Sequence, residues 1–137
     1  MAYQFELVSP ERRLASQEVT AVRIPGADGD LTAMEGHSPV ITSLRPGVLT
    51  IETASGEQSF AVTGGFAEIG SESVSVLAEK ALPTGDVTQD VFDDWVTEAR
   101  TARDDAAEDG VDAAVKLVED MVAMGGHIGL DPKQPNL

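Results

Sequence analysis

Between Leu82 and Asp86 the spacing of apolar residues changes from a period of two to a helical period, and this one change divides the chain into a β-patterned part and a helical part. Tyr3-Gln4-Phe5-Glu6-Leu7-Val8 alternates apolar with polar side chains and reads as a strand with one buried face. Leu14 to Ser16 and Val19 to Ile24 form a second, interrupted strand, with Val19, Ala21 and Arg23 on one face and Thr20, Val22 and Ile24 on the other. Pro25 to Gly29 ends it. Val48 to Thr53 and Gln58 to Thr63 flank Ala54-Ser55-Gly56-Glu57, a loop of hairpin length, and are expected to pair. Gly64-Gly65, read as a bulge or a close backbone approach, leads into Phe66 to Ile69; Gly70-Ser71 turns the chain into Ser73 to Ala78. Strands recurring about every ten residues with turn signals between them indicate an all-β sandwich or barrel.

The segment from Gly29 to Gly47 is mostly turn. Gly29, Gly36 and Gly47 accept positive φ, while Pro39 and Pro46 fix φ and remove a donor, so the chain must fold back repeatedly between short apolar pieces. Placed between β-patterned flanks, such a segment is expected at an exposed end of a sandwich, where its side chains can be offered to a partner.

From Val87 onward Val91, Phe92, Trp95, Val96, Ala99, Ala102 and Ala106 line one helical face. Asp86 is the expected cap, with Gln89 reaching back as in a capping box. Glu108-Asp109-Gly110 breaks this helix, and a second runs from Val111 to about Met124 with Val111, Ala114, Val115, Val118, Met121 and Val122 as its stripe, ended by Gly125-Gly126. So short a connection makes the pair antiparallel, each helix covering the stripe of the other. Burial is expected for Phe92 and Trp95, and Gly129 to Leu137 is expected to be a frayed tail. The expected division is a sandwich over 1–84, a hairpin over 85–126 and a tail over 127–137.

The chain of 137 residues carries 24 acidic and 9 basic residues, a net charge of −15. No basic stripe exists to displace counterions from phosphates, which argues against nucleic acid and against anionic membrane surfaces. Only 4% of residues are aromatic, so the core must be filled mainly by Val, Ile, Leu and Ala. The lack of cysteine removes a thiol nucleophile and the usual structural zinc sites and leaves a cytoplasmic setting as the default. Met1 to Val8 has no signal-peptide pattern, and no window approaches the length of apolar residues needed to cross a bilayer, so no direct membrane insertion is expected.

No catalytic constellation is found. His37 and Ser38 are adjacent with no separate histidine and carboxylate to complete a triad, and His37 reads as a hydrogen-bonded turn residue. Asp28-x-Asp30-x-Thr32 imitates the start of a calcium loop but has Ala33 at the sixth position and Pro39 at the twelfth, so no metal site is expected. No cofactor is implied.

Five motifs in order then carry a family likeness: Phe5 to Pro10; Gly29-Asp30-Leu31; Gly36 to Thr42 with Pro46-Gly47-Val48-Leu49; Gly64 to Ile69; and Val74 to Ala81. Over these 81 residues the chain resembles the epsilon subunits of bacterial F-type ATP synthases, the counterparts of the mitochondrial delta subunit. The resemblance implies an antiparallel ten-stranded β-sandwich followed by an antiparallel two-helix hairpin. It implies a non-catalytic rotor subunit at the foot of the central stalk, peripheral on the cytoplasmic face of the bacterial inner membrane. Its implied partners are the gamma subunit and the polar loops of the membrane c-ring, with alpha and beta within reach of the hairpin. By this likeness the ring-facing end includes Asp28, Asp30, Glu35, His37 and Ser38.

In many relatives the hairpin extends into the catalytic head and blocks ATP hydrolysis, using basic residues against an acidic segment of the beta subunit. Residues 86–124 here hold 12 acids against 3 bases, a net −9, so like charges repel and weak or absent inhibition is expected. Some relatives bind ATP through an Ile/Leu-Asp-x-x-Arg-Ala motif. The matching stretch has Asp93 in place but Val96 where the arginine belongs, which removes a charge-assisted phosphate contact. An inhibitory hairpin is the second reading within the family; a free-standing small-ligand-binding sandwich is the reading from another class.

Overall fold

The computed structural model describes residues 3–130. Ten strands come first: β1 (Tyr3–Val8), β2 (Arg13–Val19), β3 (Ala21–Gly26), β4 (Gly29–Ala33), β5 (Val40–Leu44), β6 (Gly47–Thr53), β7 (Gly56–Val62), β8 (Gly65–Ile69), β9 (Ser73–Ala78) and β10 (Ala81–Pro83). A 3₁₀ turn over Thr84–Asp86 leads to helix α1 (Gln89–Asp104), and a second over Glu108–Gly110 leads to α2 (Val111–His127).

The strands form one continuous sheet in the order β10-β7-β6-β3-β5-β8-β9-β1-β2, with β4 beside β3. Between β3 and β5 the ladder narrows to the single pair Gly26↔Leu44. At this corner the sheet folds over on itself, giving one layer of β10, β7, β6, β3 and β4 and a second of β5, β8, β9, β1 and β2. The far side is fastened where the Thr20 amide donates to the Glu52 carbonyl at 2.7 Å and Gln17 Nε2 donates to Gln58 Oε1 at 3.2 Å. The strand pairs are antiparallel except β1 with β9, which run parallel through Phe5↔Val74 and Leu7↔Val76.

Alternation fills the space between the layers. Tyr3, Phe5 and Leu7 from β1, Val74 and Val76 from β9, Ile69 from β8, and Leu49 and Ile51 from β6 meet in one core, each at most 1% exposed. The interrupted second strand is two strands, broken at exposed Thr20, after which Val22 and Ile24 enter this core. The turn-rich segment contributes β4 and β5. At Gly64-Gly65 the close approach is real: Gly65 has φ +114°, and a Cβ there would lie 1.9 Å from the Leu77 carbonyl oxygen.

A second core, separate from the first, holds Phe92, Trp95, Val96, Ala99, Val118, Met121 and Met124 with Ala61 of β7; Val48 and Leu82 pack at its edge. The hairpin therefore covers the outer face of the β6–β7 layer. Phe92, near the start of α1, sits against Gly125, near the end of α2, as an antiparallel pair requires. The expected stripe is buried only in its near half, because Val111 and Val115 stay 38% and 37% exposed opposite the alanines of α1.

Two helix boundaries differ from expectation. Thr88, not Asp86, is the cap: its hydroxyl accepts from the Val91 amide, while Asp86 closes the preceding 3₁₀ turn and Gln89 Nε2 donates to Asp93 Oδ1 at 2.9 Å. Gly125-Gly126 does not end α2, which continues to His127, because Gly125 is held inside the helix by the ring packed on it. Leu130, within the segment Gly129 to Leu137 expected to fray, packs on the second core beside Ile128, and residues 131–137 lie outside the described part.

Candidate functional site

With the hairpin on one face of the sandwich, the opposite face is left bare, and it is apolar where a solvated strand surface would be polar. On it Phe66 of β8 stands directly across from Leu77 of β9, with Val8 of β1 beside Leu77 and Ile41 of β5 diagonal to Phe66. Phe66 and Leu77 are each 49% exposed and Ile41 is 74% exposed. Contiguous apolar surface of this kind marks an interaction face. Glu68, paired with Ile41 and Ser75, places a carboxylate in the middle of it.

The five residues expected at one tip do not form one cluster. Asp28 and Asp30 belong to the tight β3–β4 turn, where Gly26 pairs with Gly29. Glu35, His37 and Ser38 belong to the β4–β5 loop. Strand β5 lies between the two groups and separates them by about 13 Å, the rise of its five residues. The first group adjoins the Leu44 end of β5, since the Ala27 amide donates to the Ser43 carbonyl at 2.8 Å. The second adjoins the β8–β9 turn, where the Gly36 amide donates to the Ser71 carbonyl at 2.8 Å. The two groups thus flank opposite ends of the apolar face.

Each group has its own electrostatics. Asp30 accepts from Arg45 Nη2 at 2.5 Å, and Arg45 Nη1 donates to the Gly26 carbonyl at 2.6 Å. Asp28 is exposed. His37 Nδ1 lies 2.6 Å from the Ser38 carbonyl; a carbonyl can only accept, so that nitrogen donates the hydrogen. Among the described residues no three His, Asp or Glu side chains gather at metal-ligand spacing. Val96 is buried in the second core, so the position of the missing arginine is packed rather than open, whereas Asp93 is half-buried at the helix surface.

An open cleft of about 750 Å³ lies between the β3–β6 surface and the last turns of α2, with Arg23, Asp120 and His127 on its walls. Several of its charges are already paired: Arg45 with Asp30 on its wall, and Arg23 with Glu57 at 2.9 Å and Asp120 with Lys116 at 2.6 Å just outside it. An ion pair between Lys80 and Glu98 ties sandwich to hairpin. Sequence reasoning missed this pair, Arg45 and the apolar face. The face had a signal: Phe66 and Leu77 break the alternation of β8 and β9 by putting large apolar side chains on the side of Glu68 and Ser75.

Fold and surfaces together define a class: a small β-sandwich with a docked helical hairpin that leaves large apolar side chains exposed on another sheet face. The sequence profile of the ATP synthase delta/epsilon chain β-sandwich domain matches residues 2–84. The ATP synthase epsilon chain of Paracoccus denitrificans is 55% identical over 97% of this chain and 95% of its own length. That of Rhodobacter capsulatus is 54% identical over 93% of this chain and 96% of its own. Two solved assemblies share the fold. One chain of the Euglena gracilis mitochondrial ATP synthase (OSCP/F1/c-ring) superposes with a TM-score of 0.70 at 19% identity, covering 93% of this chain and 81% of that one. A chain of the Tetrahymena thermophila mitochondrial ATP synthase central stalk and c-ring gives 0.67 at 17% identity, covering 93% and 96%. This chain belongs to the ATP synthase epsilon chain family, the non-catalytic stalk subunit of the F-type complex. Among the described residues no helix is long and apolar enough to cross a membrane.

Proposed function

We propose that the chain is a rotor element that joins the gamma subunit to the c-ring and so couples proton translocation to ATP synthesis. The observation that carries this reading is the bare apolar face of the sandwich opposite the hairpin. A partner covering Ile41, Phe66, Leu77 and Val8 would remove their surface from water, and gamma is the partner the family supplies. The Asp28–Asp30 turn, at the Phe66 end of that face, meets basic groups on the ring loops. Glu35, His37 and Ser38, at the Ile41 end, rim the gamma contact. This divides the five expected ring-facing residues between two partners.

Transmission of torque needs a body that does not shear, and the continuous ten-strand ladder closed around one core resists local opening. The chain is accordingly placed at the cytoplasmic face of the bacterial inner membrane, held there through the complex. The working division is a sandwich over 1–84, a hairpin over 85–126 and a tail over 127–137. The acidic hairpin repels the acidic segment that inhibitory hairpins engage, so its contacts with alpha and beta restrain hydrolysis little. Buried Val96 leaves no cation for an ATP phosphate at the degenerate motif.

Capture of gamma by the isolated protein tests the reading. Retention of gamma by the wild-type chain, lost on Phe66→Asp, supports it; no retention by the wild type refutes it, and tight binding of a small ligand by a chain that ignores gamma would favour a free-standing module. Deleting residues 87–137 is expected to leave ATP hydrolysis by the reconstituted complex nearly unchanged. A several-fold rise would instead make the hairpin an inhibitor.

A further inference from the structure

Arg45 is fixed at several points to one turn. Its backbone amide donates to the Pro25 carbonyl at 3.0 Å, Nη1 donates to the Gly26 carbonyl at 2.6 Å, and Nη2 donates to Asp30 Oδ1 at 2.5 Å. The side chain is 26% exposed, while the Asp30 side chain it holds is 76% exposed. One end of the pair is thus packed in the tip of the sandwich and the other is presented to solvent.

We propose that Arg45 is a positioning residue for docking at the β3–β4 turn: it ties that turn to the β5–β6 corner and fixes the Asp30 carboxylate as an oriented acceptor beside Asp28. This rests on the reading that the turn meets basic loops of the ring. The planar guanidinium suits the task because its separate N–H groups satisfy a carbonyl and a carboxylate at once, which a lysine ammonium on a flexible stem cannot do with the same geometry. The Asp30 side chain is 76% exposed and Asp28 is exposed beside it, so among the described residues their carboxylates remain open to a cationic loop. Arg45 also cancels one of the two negative charges at the tip. Recognition then depends on where the carboxylates are held more than on their sum, as electrostatic complementarity serves specificity before affinity. A turn held in one conformation loses less freedom on docking than a loose one.

The test uses the assembled ATP synthase in membrane vesicles and reads ATP-driven proton pumping per ATP hydrolysed, at low and at high KCl. Asp28→Asn with Asp30→Asn is expected to lower coupling; no change would remove the ring-facing reading, and the proposal with it. Arg45→Lys keeps the charge and loses the fork. Its coupling is expected to fall about threefold, more steeply with salt than the wild type, with melting of the isolated chain within about 2 °C of wild type. Adding Arg45→Gln to Asp30→Ala is expected to cost coupling nothing further, because the acceptor that Arg45 positions is already gone. Wild-type coupling in Arg45→Lys, alongside impaired coupling in the double Asn variant, would overturn the role of Arg45 and leave the ring contact standing. Additive losses from Arg45→Gln and Asp30→Ala would overturn it as well, since Arg45 would then act on coupling other than through Asp30. Asp30→Ala breaks the clamp from its exposed end and so keeps the question open to measurement if Arg45→Gln fails to fold.

Discussion

Consecutive glycines in one helix offer a controlled measurement of packing at the base of the hairpin. A Cβ built on Gly125 would lie 2.1 Å from Phe92 Cζ and within 2.8 Å of two further ring carbons, whereas one on Gly126 meets nothing within 4 Å. Non-bonded carbons sit about 3.5–4.0 Å apart, so Gly125→Ala demands that ring or helix move by more than an ångström. Phe92 is fully buried with no free space to enter, and overpacking of this kind costs about 1–3 kcal/mol. Against it stands the propensity gain of Gly→Ala, at most about 1 kcal/mol, which Gly126→Ala receives without the clash. Both positions lie in the last turn, so that gain largely cancels when the variants are compared. The expected difference between them is about 1–3 kcal/mol, with Gly126→Ala at or above wild-type stability. Urea titration followed by fluorescence of Trp95, the single tryptophan and one that is buried in the same core, reads it directly. Phe92→Leu should recover part of the Gly125→Ala loss. Equal midpoints for the two alanine variants would refute the packing argument.

Lys80 and Glu98 form an ion pair with side chains 38% and 66% exposed, so Lys80→Gln should lower hairpin stability by no more than about 1 kcal/mol, and high salt should erase the difference in Trp95 fluorescence melts. Burial raises the pKa of Tyr3, the single tyrosine, above its ordinary value of 10.0, because the phenolate would lose its hydration. Stability from this neutral phenol is full below pH 10 and is lost as pH rises through the folded value, while the unfolded chain has already released its proton. A phenolate absorbance titration should show a single delayed step, and Tyr3→Phe should abolish the alkaline loss at a cost of about 1 kcal/mol at neutral pH for the bond from its hydroxyl to the Gly70 carbonyl. Phe66→Asp or Leu77→Asp should weaken gamma capture about five- to tenfold while leaving circular dichroism unchanged, since each half-exposed side chain forfeits on the order of 1–1.5 kcal/mol of burial; unchanged capture would move the gamma contact elsewhere.

Local chemistry was sufficient for much of the architecture. The period change at Leu82–Asp86 marks the real passage from strands to helices, and the alternation of Tyr3, Phe5 and Leu7 names true core residues. Phe92 and Trp95 are buried as their helical spacing requires, and motif order was enough to identify the family. These properties depend on residues two to four positions apart, whose relative directions follow from backbone geometry alone.

Other features depended on contacts distant in sequence. Thr88 and Asp86 are both competent caps, and the choice followed from where the 3₁₀ turn delivered the chain against the sandwich. Gly125-Gly126 reads as a helix stop until Phe92, more than thirty residues earlier, is seen to need the space. Asp28 and Glu35 are close in sequence yet lie beside opposite ends of β5, because β4 pairs with β3 and carries the chain away. Which outer face the hairpin covers, and hence which apolar residues remain bare for a partner, was likewise fixed only when distant strands and helices chose their neighbours. A side chain's direction is set locally, but what stands opposite it is a global outcome of packing.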